Sequence, residues 1–464
     1  MITAPILLSL IQFNPTLPIM VPVVSPASAQ VSTDTLPRRG ALGAAFAPLP
    51  ADQAAKYNLQ PGQGLVAKQP ISGLTAHKAG IQADDVILKL NGKPAMAAGL
   101  GAMVRELPAG KSITFEVSRN GKTLTLSTNL VEKPRDPGNR NYEVIYSSIE
   151  SHGKKMRTII TKPKAPGKHP GFFFIQGFSP ISYDFTLEGS MGDVSSIDGP
   201  LLYEFANTGY VTMRVEKPGV GDSEGGPFAE MDYLTEIDIY RKALLQLKAV
   251  DSVDNDNVFI FGHSMGGAFG PMIATEIPVK GIAVYGTASR TWFEYLLDTL
   301  RYQGLVAGAS YAQADESVRR GAVIMGSIFL ENKTPEQVKA AHPNLAAEVD
   351  GYFPGGKFNG KTSDFWRQLN QINFADYWAK CNAHVLAVRG ASDFVTYDVD
   401  HKLIADIVNR ARPGYGTFAI APSSDHLFHD FATEPESMKN FQNGKFNMAF
   451  THMMAKWMKE IRSK

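Results

Sequence analysis

Hydrophobic and polar positions divide the chain into stretches of different period. Residues 1–29 are rich in apolar side chains, through Ile6, Leu7, Leu8, Leu10, Ile11 and Phe13. Pro15, Pro18, Pro22 and Pro26 oppose a membrane helix in that stretch. Residues 30–37 are small and polar, as in a linker. From 38 to 131 short apolar runs alternate with turn residues. Strands are expected over Ala41–Phe46, Gly64–Ala67 and Val86–Leu90, the last ahead of the tight-turn pair Asn91-Gly92. Met96, Leu100, Met103, Val104 and Leu107 have helical spacing, and strands Ser112–Ser118 and Thr123–Thr128 flank Asn120-Gly121. Residues 132–141 hold two prolines, a glycine and alternating charges, and form a second linker.

From 142 to 464 apolar strands alternate with helical stretches, which predicts an α/β domain. A hairpin is expected from Tyr142–Ile149 and Lys155–Thr161 across Ser151-His152-Gly153. Buried strands are expected at Gly171–Ile175, Tyr210–Val215, Asn257–Phe261, Val279–Tyr285, Ala383–Val388 and Gly416–Ala421. Helices are expected at Tyr233–Val250, Ala268–Glu276 and Asn447–Ile461. Residues 288–378 interrupt the alternation: Trp292, Phe293, Tyr295, Leu296, Leu300 and Leu305 are spaced for an amphipathic helix, and more helices follow. No later stretch has about 18 consecutive apolar residues, so no membrane span is expected.

Composition narrows the classes. Of 464 residues, 44% are apolar, too many for a disordered chain. Lys and Arg number 46 against 45 Asp and Glu, with no basic stripe, which argues against a nucleic-acid binder. The single cysteine, Cys381, excludes an intrachain disulfide and a cysteine-rich zinc cage. Ala27-Ser28-Ala29 before Gln30 offers a cleavage site, so residues 1–29 read as a secretory signal and the protein as periplasmic or secreted. The first basic residue, Arg38, lies beyond that segment, a departure from the usual basic start of a signal.

The strongest chemical pattern is Gly262-His263-Ser264-Met265-Gly266 between an expected strand and an expected helix. A serine on such a turn has its hydroxyl held clear, and glycines two positions either side leave the turn room. Serine needs a base, and the base an orienting acid. Asp393 follows the strand Ala383–Val388 and is the acid chosen; Asp398 and Asp400, further along, are expected to be solvated. His426 follows the last strand and is the base chosen, with His429 its rival. The oxyanion donors expected are the backbone N–H groups of Met265 and of Phe178, in the loop after Phe172–Ile175. Asp251, Asp254 and Asp256 lack the glycine and glutamate of a calcium loop, no H-E-x-x-H occurs, and the glycines of 219–225 match no nucleotide loop. No metal or cofactor is expected.

Two resemblances follow. The series Ala79-Gly80-Ile81, Asp85-Val86-Ile87 and Asn91-Gly92, within the run from Gly73 to Gly92, resembles a PDZ domain of the bacterial protease-associated type. The resemblance implies that residues 38–131 capture extended peptide ends by strand addition, with Leu42, Gly43 and Ala44 in the carboxylate loop. A spacer that binds no peptide is the other reading. The elbow, the order Ser264, Asp393, His426, and the run Val215–Gly225 resemble the α/β-hydrolase family over 142–464. Glu216 stands where that family's turn usually has Asp, and Gln176-Gly177 where many relatives have His-Gly. The resemblance implies a mostly parallel sheet with helices on both faces and, over about 288–378, a helical cap that supplies an apolar pocket.

Together these readings predict a serine hydrolase that cleaves carboxylic esters through an acyl-enzyme. A peptidase with the same Ser264, His426 and Asp393 is the first alternative. A peptide-binding adaptor with an inactive hydrolase unit is the second. Expected partners are a small ester or peptide substrate and a peptide C-terminus at the PDZ-like unit.

Overall fold

The computed structural model describes residues 34–96, 100, 104, 107–188 and 197–463. The expected signal segment, residues 30–33 of the first linker, and most of the helix expected over 96–107 lie outside the described residues. Met96 itself bridges Gln63, and Leu100 and Val104 are helical.

The first half builds two small sheets. β1 (Gly40–Ala41) pairs with β8 (Val131–Glu132). β2 (Phe46–Pro48), β3 (Leu65–Ala67), β4 (Val86–Leu90), β6 (Ser112–Arg119) and β7 (Lys122–Asn129) lie in that order, with β5 (Lys93–Pro94) on β4. The run expected as one strand over Ala41–Phe46 is thus two. Gly43 has φ +71°, and the carbonyls of Leu42 and Gly43 accept from the N–H groups of Ala76 and Ile71, so the chain turns between the two sheets. Ile87, Leu90, Ile113, Phe115 and Val117 form the core of this half.

The second half builds one eight-stranded sheet. In chain order its strands are β9 (Tyr142–Ser151), β10 (Lys154–Pro163), β11 (His169–Ile175), β12 (Val211–Val215), β13 (Val253–His263), β14 (Gly281–Tyr285), β15 (His384–Gly390) and β16 (Gly416–Ala421). In space the order is β9-β10-β12-β11-β13-β14-β15-β16; β9 and β10 run antiparallel and the other six are parallel. His152 and Gly153 both have positive φ, the conformation a two-residue hairpin between β9 and β10 requires.

Side-chain alternation along β11 explains the layers. Phe173 faces the helices Tyr233–Lys248, Gly266–Glu276 and Asp398–Ala411, whereas Phe172 and Phe174 face Gly199–Asn207 and Ala449–Arg462. A strand covered on both faces must be apolar throughout, as β11 is from Pro170 to Ile175. Between β14 and β15 six helices intervene, from Trp292–Val306 to Phe374–Lys380.

A buried polar cluster joins the halves. Arg38 donates to Asp184 and Asp222 and to the carbonyls of Lys133 and Pro134. Arg157 on β10 donates to Asp34, Asp222 and the Leu36 carbonyl. Tyr146 on β9 donates to Asp184 at 2.8 Å, and its ring lies under the guanidinium of Arg38. Lys133 lies 3.5 Å from Asp184.

Candidate active site

β13 ends at His263 and the next helix starts at Gly266, so Ser264 sits at a strand-to-helix turn. Its φ is +54°, unusual for a residue with a side chain. Such a turn leaves no space for neighbouring Cβ atoms. One added at Gly266 would lie 2.1 Å from the Ile175 carbonyl oxygen, and one at Gly262 would lie 2.5 Å from that of Gly266. The Ser264 N–H donates to the Tyr285 carbonyl at 2.8 Å, which ties the turn to β14.

Ser264, His426 and Asp393, chosen from the sequence, lie together. His426 Nε2 is 2.9 Å from Ser264 Oγ, and His426 Nδ1 is 3.0 Å from Asp393 Oδ2. A carboxylate only accepts, so Nδ1 carries the proton and Nε2 is free to take one from the serine. Asp393 is fully buried and accepts also from the N–H groups of Val395 and Thr396 and from the Thr396 hydroxyl. Burial alone would raise its pKa. The charge and hydrogen bond of His426, the Thr396 hydroxyl and the charge of Arg389 outweigh burial and hold the carboxyl well below the usual range.

The rivals are engaged elsewhere. His429 Nδ1 faces Asp425 at 3.9 Å. Asp398 is partly exposed and pairs with Arg389 and Lys402. Asp400, expected to be solvated, is instead fully buried: it accepts from the N–H groups of Ser289 and Arg290 and pairs with the Arg290 guanidinium. The helix Asp398–Ala411 carries it inward against the segment after β14, where a charged partner and two amides replace water.

The backbone at Gly177 runs beside Ser264. A Cβ there would lie 3.3 Å from Ser264 Cβ and 3.9 Å from its Oγ. Neither the Phe178 N–H nor the Met265 N–H donates to a described residue. The Phe178 ring packs among Phe228, Phe365 and Trp366. A cavity of about 110 Å³ opens beside Ser264, walled by Phe178, Trp292, Tyr295, Trp366, Leu369 and Phe374.

Three supporting residues escaped the sequence reading. His263 is buried; its Nδ1 lies 3.1 Å from Asp198 and its Nε2 donates to the His426 carbonyl at 2.8 Å. Burial lowers its pKa, but Asp198 and the His426 carbonyl outweigh burial and raise it. Gly286, just past β14, has φ +59°, and a Cβ there would lie 2.8 Å from His426 Nδ1. Lys217 donates to the carbonyls of Gly177 and Phe178. The available signal for Lys217 was a charged pair, Glu216-Lys217, directly after an apolar strand; the other two carried none.

Leu42, Gly43 and Ala44 form the loop that leads into β2, which is an edge strand of the small sheet. Among the described residues no helix is long and apolar enough to cross a membrane.

The strand order and the two-sided helical layers define an α/β-hydrolase fold with an additional β-rich N-terminal region. No family model matches the chain. A stretch of 119 residues is 34% identical to a probable periplasmic serine endoprotease DegP-like of Pseudomonas putida, covering 25% of each chain. A stretch of 134 residues is 31% identical to the periplasmic serine endoprotease DegP of Salmonella typhimurium, covering 28% of each. The chain thus spans about a quarter of the length of these curated relatives, over a PDZ-like region. Among solved structures, it is similar to Est1E from Butyrivibrio proteoclasticus, with TM-score 0.41 and 15% identity over 69% of this chain and 99% of that one. It is also similar to a putative dipeptidyl aminopeptidase IV from Bacteroides ovatus, with TM-score 0.42 and 13% identity over 75% of this chain and 40% of that one.

Proposed function

We propose that this chain is a serine hydrolase that cleaves small carboxylic esters through an acyl-enzyme. The observation that carries the reading is the continuous relay from Ser264 Oγ through both nitrogens of His426 to Asp393. Ser264 attacks the ester carbonyl as His426 takes its proton. Asp393 holds the imidazole in the tautomer this needs and stabilises its charged form. The N–H groups of Phe178 and Met265 receive the developing oxyanion. His426 then protonates the leaving alcohol, and water activated by the same imidazole releases the acid.

The six helices between β14 and β15 act as a cap and give the cavity its aromatic wall. At about 110 Å³ the cavity is well below the roughly 300–1,000 Å³ of a drug-sized ligand site, which supports a short acyl group over a long chain. The likeness to proteins named as periplasmic supports export, and the edge strand β2 beside Leu42, Gly43 and Ala44 supports peptide capture by a PDZ-like unit at 38–131.

The test is hydrolysis of p-nitrophenyl esters of graded acyl length, beside a panel of peptidyl anilides. Acetyl to butyryl esters should be turned over best, and Ser264→Ala should lose at least about a thousandfold in kcat. Equal turnover by Ser264→Ala would overturn the reading, and anilides cleaved as fast as esters would make the protein a peptidase.

A further inference from the structure

Besides the packing of the Phe178 ring, two polar side chains hold the loop that offers the Phe178 N–H. Gln176 fixes one side, donating to the Val215 carbonyl at 2.8 Å. The other side rests on Lys217. This lysine follows β12, its side chain is 2% exposed, and its ammonium has three partners: the Gly177 carbonyl at 2.6 Å, the Phe178 carbonyl at 2.8 Å and Glu236 Oε1 at 2.8 Å. Three N–H donors meet three acceptors, so the group is fully satisfied. The ammonium also lies 5.5 Å from the centre of the Phe228 ring.

A buried ion pair is an expensive way to fill space, and apolar side chains of similar volume serve as well or better. What a cation does here that an apolar group cannot is hold two successive carbonyl oxygens. The Gly177 carbonyl and the Phe178 N–H belong to one planar peptide and point in opposite directions. Fixing the oxygen therefore fixes the N–H. The peptide lies beside Ser264: a Cβ added at Gly177 would be 3.9 Å from Oγ. A positive charge on the carbonyl also polarises the amide and makes its N–H a stronger donor.

We infer that Lys217, held by Glu236, is the positioning residue that aims and polarises the Phe178 N–H as an oxyanion donor. The inference rests on the serine-hydrolase reading above. Lys217 touches no reacting atom; it acts through one peptide unit. Burial lowers its pKa, and the charge and hydrogen bond of Glu236 offset part of that.

The experiment compares wild type with Lys217→Met, Lys217→Gln and Glu236→Gln in the full chain. Active sites are titrated to completion with a fluorophosphonate, so that kcat on p-nitrophenyl acetate is read per competent serine. Affinity for an alkyl trifluoromethyl ketone, whose adduct on serine carries the oxyanion, is measured beside it. Lys217→Met should lose about 10²–10³ in kcat per titrated site, with KM within about threefold, and should bind the ketone more weakly by a similar factor. Lys217→Gln, which keeps two N–H donors but no charge, and Glu236→Gln should fall between it and wild type. A merely structural lysine would lower the titratable fraction and the melting temperature and leave both per-site values alone. If Lys217→Met does not fold, the two glutamine variants decide. Per-site kcat and ketone affinity within threefold of wild type in every folded variant would overturn the inference. A wild type that the fluorophosphonate does not label, or that is as active as Ser264→Ala, would remove the hydrolase reading, and the inference with it.

Discussion

His263 Nε2 donates to the backbone carbonyl of His426, so the residue before Ser264 holds the main chain of His426. The same imidazole is braced from behind by Asp198, which accepts from the Tyr183 hydroxyl at 2.7 Å. Both nitrogens of His263 face acceptors, and the ring bridges two loops. His263→Gln should lower kcat by about 10–100-fold through displacement of His426, with little change in KM. Steady-state kinetics on p-nitrophenyl acetate check this.

His263 also sets a pH dependence of stability. Its folded pKa lies above the ordinary value of 6.5. The stabilisation is therefore fully present below pH 6.5 and is lost as pH rises through the folded value. The gap in unfolding free energy between wild type and His263→Gln should be widest at pH 5–6 and narrow towards alkaline pH. Urea melts across that range measure it, and a gap that widens with pH would refute the assignment.

Glu216 has the same sign for a different cause. Burial, helped by the charge of Asp184, pushes its carboxyl up to about 7 against the opposing charge of Lys133 and the bonds from Ser182 and Tyr183. Folding favours its protonated form, so the stability it lends below pH 4.5 is lost as pH rises through about 7. Glu216→Gln, which cannot ionise, should match wild type near pH 5 and be the more stable of the two at pH 8. The upper limit of that gain is about 3 kcal/mol. Thermal melts at the two pH values decide it.

Gly286 keeps the space beside His426 and Asp393. Its positive φ disfavours any side chain, and an added Cβ would lie 3.1 Å from Asp393 Oδ2 as well as 2.8 Å from His426 Nδ1. Gly286→Ala should lower kcat more than tenfold in protein whose fold, by circular dichroism, is unchanged. Gly355→Ala, with φ +61° and open space around it, is the control and should leave kcat unaltered.

Much of this architecture is written in local pattern. β16 spans Gly416–Ala421 as its apolar run indicates, and the helix Gly266–Glu276 begins only two residues before its expected start, because strand and helix periods are strong signals over such lengths. Ser264, Asp393 and His426 follow from the chain order of strand ends. The residues that brace them do not. Lys217 and His263 reach backbone carbonyls, Asp198 reaches the His263 ring and the Tyr183 hydroxyl, and Gly286 leaves space, and nothing in their identity says which group lies opposite. Asp400 shows the same limit: a charged residue on a helix reads as solvated until its buried partners are placed.

Arg38 lends itself to a direct test. Its side chain is 1% exposed, and its removal leaves Asp184 and Asp222 buried with fewer counter-charges. Arg38→Met should cost about 3–5 kcal/mol in unfolding free energy. Equilibrium denaturation of the full chain measures it, and a loss below 1 kcal/mol would show the cluster to be dispensable.

The same cluster separates the spatial edge of the larger unit from its edge in sequence. Residues 34–38 fill a place in the wall of the eight-stranded body, although 95 positions separate Arg38 from Lys133, where the chain returns to it. A shortened protein that begins after the small sheet would lack its own outer brick. Any trimmed form meant to isolate the hydrolase chemistry has to carry that short N-terminal strip with it, spliced or supplied as a separate peptide.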